Sequence, residues 1–231
     1  MSRRLRTEDR NKSRIPLIAH TKPREVISEQ LRQIRTNILF SAVDKEIKSI
    51  MITSPEPSDG KSTVASNLSI VLSQQEKRVL LVDTDLRKPT VHYSFSASNL
   101  VGLTSILTKE VDLEGAISKT YIPNLDILTS GPIPPNPSEL LNSKAMETLM
   151  KNLNERYEYI VYDTPPLLAV TDPQIIANRC DGVVMVVASR KTSKDRALKA
   201  KELLEKAKAR ILGVIVNRVE SKKGEYFSTY S

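Results

Sequence analysis

Short apolar runs alternate along this chain with stretches of helical apolar spacing, and that alternation constrains the fold more than any other feature. The runs are Ser49–Thr53, Val79–Asp83, Leu125–Thr129, Tyr159–Asp163, Val183–Ala188 and Ile211–Asn217. Helical patterns fall around Arg24–Ala42, Lys61–Gln75, Ser138–Tyr157, Asp172–Arg179 and Ser193–Lys208, with Ser138 and Asp172 standing where helix caps are expected. Strand and helix in turn predict an α/β domain, a mainly parallel sheet with helices on both faces. At 231 residues the chain suits one well-buried domain and is short for two. The expected organisation is a basic arm over 1–20, the domain over 21–220 and a tail over 221–231.

The first run leads into the most informative motif. Ile50-Met51-Ile52-Thr53 breaks into Ser54-Pro55-Glu56-Pro57-Ser58-Asp59, and Gly60-Lys61-Ser62-Thr63 then opens a helical pattern. Free backbone N–H groups and the positive end of the helix dipole meet at such a turn, and both favour bound phosphate. Lys61 can reach the β- and γ-phosphates from a solvent-filled crevice, and the Ser62 hydroxyl can ligate Mg2+. The usual spacing asks for glycine where this chain has Pro55, and a loop curling around an anion places Ser58 at a possible positive φ. Read alone, Gly-Lys-Ser-Thr is also an ordinary helix start.

Two later runs end in carboxylates. Leu81-Val82-Asp83-Thr84-Asp85-Leu86-Arg87-Lys88-Pro89 carries two, and Tyr162-Asp163-Thr164-Pro165-Pro166 carries one. In an open parallel sheet the ligand crevice lies at the C-terminal ends of the strands, beside a phosphate loop. Asp83, Asp85 and Asp163 could there hold hydrated Mg2+ and accept a proton from an attacking hydroxyl. Each alone is equally a turn residue or cap. The run from Gly131 to Pro137 falls on the same edge, as a wall of the site or a rigid connector.

The formal charge of +8 is uneven: residues 1–35 hold ten Lys or Arg against four Asp or Glu. Such an arm suits nucleic acid, an anionic membrane surface or an acidic partner, or is simply solvated. The helix Lys194–Arg210 reads as a solvated face over an Ala-Leu stripe, and with aromatics at 4% and none interleaved, nucleic acid is not expected as a partner. No apolar run approaches the ~18 residues needed to span a bilayer, so the chain reads as cytoplasmic. The lone Cys180 fits a reducing compartment and a small buried residue. Tyr226 and Tyr230 lie in a hydroxyl-rich tail without apolar periodicity, where they are accessible phosphoryl acceptors.

Taken together, the phosphate loop, the Asp83 and Asp163 motifs, the stretch from Gly131 through Pro137-Ser138-Glu139-Leu140-Leu141 and the tyrosine tail resemble a known family over about residues 20–231. It is the bacterial tyrosine kinases of capsule and exopolysaccharide assembly, in the Gram-positive form whose cytoplasmic kinase is a separate chain. The resemblance implies a P-loop NTPase-like fold, ATP and Mg2+ as cofactors, and autophosphorylation of Tyr226 and Tyr230 between subunits. It assigns Ser58 to Thr63 to the phosphates and Ser62, Asp83 and Asp163 to the metal. Lys61, Asp83, Asp85 and Arg87 are assigned to catalysis, and Asn217 and Arg218 to the neighbourhood of the adenine. The family's Glu-x-x-Arg-x-x-Arg is matched by Glu29, Arg32 and Arg35, implying the interface of a homo-oligomeric ring; the residues alone read as an intrahelical salt-bridge ladder. A transmembrane activator that recruits the kinase to the inner face of the membrane, other tyrosine substrates and a cognate phosphotyrosine phosphatase are implied as well. The chain departs from the family in Ser58 and Asp59, where glycine and glutamate are usual, and in having only two tail tyrosines.

Two other classes fit parts of the pattern. One is a nucleotide-switched ATPase of the ParA/MinD type, whose loop usually carries an early second lysine where this chain has Pro55-Glu56-Pro57. The other is a regulatory subunit that binds nucleotide without chemistry.

Overall fold

A computed structural model describes residues 15–41 and 46–220. The N-terminal part comprises α1 (Ile18–Thr21), α2 (Val26–Phe40), β1 (Ser49–Thr53), α3 (Lys61–Ser73) and β2 (Val79–Asp83). The middle comprises α4 (Val91–Ser94), α5 (Leu103–Leu107), α6 (Leu113–Ala116), β3 (Ile117–Lys119) and β4 (Leu125–Leu128). The last part comprises α7 (Pro137–Asn142), α8 (Lys144–Arg156), β5 (Tyr159–Asp163), α9 (Asp172–Ala177), β6 (Gly182–Ala188), α10 (Lys194–Lys206) and β7 (Ile211–Asn217).

The seven strands form one sheet in the order β3-β4-β2-β5-β1-β6-β7, parallel except for β3 at its edge. Both faces are covered, which is why the central strands are apolar at successive residues. Met51, Leu80, Val82, Ile160 and Tyr162 enter one core with helices α8 and α10. Ile50, Ile52, Val79, Leu81 and Val161 enter the other, against α3. This is the expected mainly parallel P-loop NTPase-like sheet with helices on both faces.

All six anticipated strands are present, but β3 and the four- to five-residue helices α1, α4, α5 and α6 were not anticipated. Elements that short complete too little of a period to leave a pattern. The helix expected over Ser138–Tyr157 is two helices. Ser143 interrupts it with an extended backbone, and its hydroxyl accepts from Met146 N–H as the cap of α8. The expected caps also move: Asn136 and Thr171 occupy the cap positions of α7 and α9. Ser138 and Asp172 instead lie just inside the first turns, at the second and first helical positions, where each meets the other's side chain.

The described N-terminal segment packs against the helix that follows the phosphate loop. Ala19 N–H donates to Asn67 Oδ1 at 2.9 Å and Asn67 Nδ2 donates to Pro16 O at 2.8 Å, while Ile15 N–H reaches Ser94 Oγ at 2.8 Å. Toward the other end, α10 buries Ala200 and Leu204 and leaves its charged residues outward.

Candidate active site

The loop between β1 and α3 owes its shape to two left-handed residues, Ser58 at φ +63° and Gly60 at +103°. Only glycine fits at 60. An added Cβ would lie 2.0 Å from Asn217 Nδ2, and that amide donates to the Asp59 carbonyl at 2.9 Å. Gly60 occupies the cap position without any side-chain cap, so the first N–H groups of the 13-residue α3 are free to face an anion. Arg218 follows Asn217 in a left-handed conformation, its N–H donating to Asn217 Oδ1 at 2.9 Å.

Strand register assembles the carboxylates. Asp83 pairs directly with Asp163 across β2 and β5, and Ile52 of β1 pairs with Asp163 on the other side. All three strand ends therefore meet beside the phosphate loop. Lys61, expected to face solvent, instead turns inward and is 9% exposed. Its Nζ lies 3.3 Å from Asp85 Oδ2 and 3.6 Å from Asp163 Oδ1, and it donates to Ser62 Oγ at 3.0 Å. The uncompensated carboxylates draw it there. Burial lowers the Lys61 pKa, but Asp163, Asp85 and Asp83 together outweigh burial and the net shift is upward.

The three aspartates are not equivalent. Asp83 is saturated: its oxygens accept from Asp85 N–H at 3.2 Å and from Thr90 and Val91 N–H at 3.1 Å each. Burial, then Asp163 and Asp85, raise its pKa to about 8. Asp85 accepts from Lys88 N–H at 3.0 Å with one oxygen and turns the other toward Lys61. Asp163 is sealed from solvent and accepts no close hydrogen bond, its nearest cation being Lys61 at 3.6 Å from Oδ1. Burial raises its pKa, opposed by Lys61 and by the nearby Ser62 hydroxyl.

A buried carboxylate that shares one ammonium with its neighbours is costly unless a further cation completes it. With every group ionised, three carboxylates face one ammonium, and a divalent cation would balance the cluster. The donor set, two or three carboxylate oxygens beside a hydroxyl, suits a hard cation such as Mg2+. Among the described residues no three His, Cys, Asp or Glu side chains converge as a ready-made metal site. That suits an ion which keeps most of its own waters and arrives with phosphate.

Arg87 points away from this cluster. Its Nε and Nη2 donate to the two oxygens of fully buried Asp172 at 2.8 and 3.2 Å, and Ser138 Oγ donates to Asp172 Oδ1 at 2.5 Å. The knot ties the loop after β2 to α7 and α9. The loop after β4 is held on the same edge, with Gly131 at φ +77° and clasped by Asn99 through both its N–H and its carbonyl.

Glu29, Arg32 and Arg35 lie on α2, outside this cluster. Arg32 pairs with Glu29 at 2.7 Å within the helix and donates to Pro23 O ahead of it, while Arg35 takes no part in that pair and its Nη1 donates to Val71 O of α3 at 2.6 Å. Tyr226 and Tyr230 lie outside the described residues. Cys180 is half-buried against the core, and burial pushes its thiol pKa up, away from nucleophilic use.

Two residues near the loop, Lys191 and Arg196, escaped the sequence reading because they are distant in the chain, as did the pairing of Asp172 with Arg87. Lys191 donates to Pro57 O and Asp59 Oδ1, Arg196 pairs with Glu56, and Asp172 anchors Arg87. Charge complementarity was the only available signal, and sequence cannot say which charges meet.

A glycine-capped phosphate loop beside strand-end aspartates in a parallel sheet defines a P-loop nucleotide-binding domain. A family model described as an AAA domain matches residues 47–211. Over 211 residues the chain is 53% identical to the tyrosine-protein kinase YwqD of Bacillus subtilis, covering 91% of this chain and 89% of that one. It is 40% identical to the putative tyrosine-protein kinase CapB of Staphylococcus aureus, covering 93% and 94%. The solved chimerical protein CapA2B2 superposes with a TM-score of 0.86 at 46% identity, covering 89% and 90%. This chain belongs to the bacterial tyrosine kinases of capsule and exopolysaccharide synthesis. The septum site-determining protein MinD of Pyrococcus horikoshii, solved with Mg-ADP, is a more distant relative, at a TM-score of 0.65 and 26% identity over 76% of this chain and 72% of that one.

Proposed function

We propose that this chain transfers the γ-phosphoryl group of ATP to Tyr226 and Tyr230 in the tail of a neighbouring subunit, and to tyrosines of other proteins, and thereby regulates capsular polysaccharide synthesis and export. The observation that carries this reading is the buried cluster of Lys61, Asp85 and Asp163 at the phosphate loop, where one ammonium faces more carboxylate charge than it balances.

The backbone of residues 58–63 and the Lys61 ammonium receive the phosphates. Ser62 and Asp163, with Asp83 behind them, would hold Mg2+. When bound, that ion neutralises charge on the phosphate oxygens. Lys61 then exchanges carboxylate partners for phosphate oxygens. The phenol, with a pKa of about 10, needs a base to become a nucleophile. Asp85 suits that role better than Asp83, because Asp83 is spent on three loop N–H groups while Asp85 keeps one oxygen directed into the cluster. The phenolic oxygen forms a bond to the γ-phosphorus, the bond to the leaving ADP breaks, and the proton passes to Asp85. Arg87 acts from one step back, fixing the loop that carries Asp85 through Asp172. Asn217 and Arg218 border the adenine, and the loop from Gly131 walls the crevice.

Ring assembly through Glu29, Arg32 and Arg35 would bring one subunit's tail to the next subunit's site. No described helix is long and apolar enough to cross a membrane. A transmembrane activator would therefore recruit the kinase to the inner membrane face, and a phosphotyrosine phosphatase would reverse the modification. A MinD-like switch is disfavoured by Glu56, which lies in the stretch where that class usually carries its early lysine and which pairs with Arg196.

The test is phosphotyrosine blotting of the purified protein with ATP, Mg2+ and an activator fragment, alongside a Tyr226→Phe/Tyr230→Phe variant. Signal that vanishes in the variant supports tail autophosphorylation. ATP hydrolysis without phosphotyrosine would favour the switch, and nucleotide binding without either reaction would favour a regulatory subunit.

A further inference from the structure

The phosphate loop contains a feature that works against its ligand. Asp59 is fully buried in a loop whose N–H groups must surround a polyanion, and a carboxylate there repels phosphate. The loop is also poor in glycine, with Ser58 held left-handed at φ +63°. Both problems meet one side chain. Lys191 Nζ donates to Asp59 Oδ1 at 2.8 Å and to the Pro57 carbonyl at 2.5 Å, so a single ammonium faces the carboxylate, whose other oxygen accepts from Glu56 N–H at 3.0 Å, and ties the side chain after Ser58 to the backbone before it.

Lys191 is itself held for this task. It follows β6, the sheet neighbour of β1, in a tight turn. Within that turn Lys191 and Thr192 N–H donate to Ala188 O at 3.2 and 3.0 Å, and Ala188 N–H donates to Thr192 Oγ1 at 3.0 Å. Arg190 adopts φ +61° there. Two further groups from the same region grip the loop: Arg196 pairs with Glu56 at 2.5 Å, and Asn217 holds the Asp59 carbonyl. The Arg196 pair is half-exposed and adds little by itself. The Lys191 pair encloses a buried carboxylate and is the principal contact.

We infer that Lys191 is a positioning residue of the nucleotide site, reaching across from the β6–α10 turn to neutralise Asp59 and set the conformation of the glycine-poor phosphate loop. The inference concerns nucleotide affinity and rests on the site, whichever acceptor receives the phosphoryl group. Absence of tyrosine phosphorylation would overturn the proposed function and leave this untouched.

Titration calorimetry with ATP and Mg2+ on the full chain tests it. Lys191→Met leaves Asp59 with no cation, only the Glu56 N–H on its other oxygen, and should weaken ATP binding by about tenfold or more, the loss of one charge-assisted contact. Turnover at saturating ATP should change far less, so KM rises while kcat holds. A merely structural lysine predicts no rescue, whereas here Lys191→Met combined with Asp59→Asn should recover most of the affinity, because the charge being neutralised has gone. Lys191→Met binding ATP within about twofold of the parent, or a double variant as weak as the single one, overturns the inference. Should Lys191→Met fail to fold, Asp59→Asn alone decides: it should bind ATP at least as tightly as the parent, and weaker binding refutes the role assigned to the pair.

Discussion

Lys61→Met separates the structure's account of this site from one in which the lysine waits in solvent. The ammonium is buried, 3.3 Å from Asp85 and 3.6 Å from Asp163, with Asp83 behind them. Removing one member of a buried ion pair costs about 3–5 kcal/mol, because the partner keeps an uncompensated charge. The lower end applies here, since burial and the neighbouring carboxylates push the Asp83 pKa up, which eases the repulsion left behind. A loss of about 3 kcal/mol, at ~2–4 °C per kcal/mol for a domain of this size, lowers the melting temperature by about 6–12 °C. The pH dependence carries a definite sign. The Lys61 pKa is raised in the folded state, so its stabilisation is complete below the ordinary value of 10.5 and is lost only above it. Asp83 is raised from 3.8 to about 8, so its contribution is complete below 3.8 and fades as pH rises through about 8. Acidification from pH 8 to 5 therefore stabilises both proteins. It helps the variant more, because Asp163 has lost the cation that opposed its protonation. Thermal unfolding followed by circular dichroism between pH 5 and 8 should show a gap that narrows toward acid, with phosphoryl transfer abolished throughout. Equal melting temperatures at pH 8, or a gap that widens on acidification, would refute the buried cluster.

Asp85→Asn should lower phosphoryl transfer by about 10²–10⁴-fold while ATP affinity, read by calorimetry, changes little; Asp83→Asn should also disturb loop order, lowering affinity as well. Equal transfer rates in both variants and parent would remove the base assignment. Gly60→Ala places a Cβ 2.0 Å from Asn217 Nδ2 at a left-handed position, so nucleotide binding should be lost, and Gly60→Ala/Asn217→Ala should restore only part of it because the φ of +103° remains. Replacing Glu29, Arg32 and Arg35 together with alanine should convert a ring to monomers by light scattering and lower tail phosphorylation; an unchanged assembly returns the trio to a helix-surface ladder.

The main architecture was legible because buried parallel strands are apolar on both faces. Ile50 to Thr53, Val79 to Asp83 and Tyr159 to Asp163 stand out without knowledge of their neighbours. Register then converted three separate sequence positions into one cluster, as Asp83 opposite Asp163 shows. Four things stayed hidden. Ser143 splits a helix that periodicity alone would continue, since apolar spacing runs across the break. Ser138 and Asp172 have the side chains of caps, yet a partner distant in sequence, Arg87, claims Asp172 instead. Lys61 was expected to face solvent because its motif is defined with phosphate bound; without that anion the aspartates are its strongest partners. Lys191 lies 132 residues from Asp59, and nothing local announces the pairing.

Arg35 gives the helix that receives phosphate a second polarised end. The N–H groups at the start of α3 face the nucleotide loop, and near its other end Arg35 caps the Val71 carbonyl in the last turn. A cation at that pole complements the helix dipole just as an anion does at the first. A neighbouring subunit that drew Arg35 to itself would leave the Val71 carbonyl bare, and assembly through this arginine would have to offset that local cost of about 0.3–1 kcal/mol.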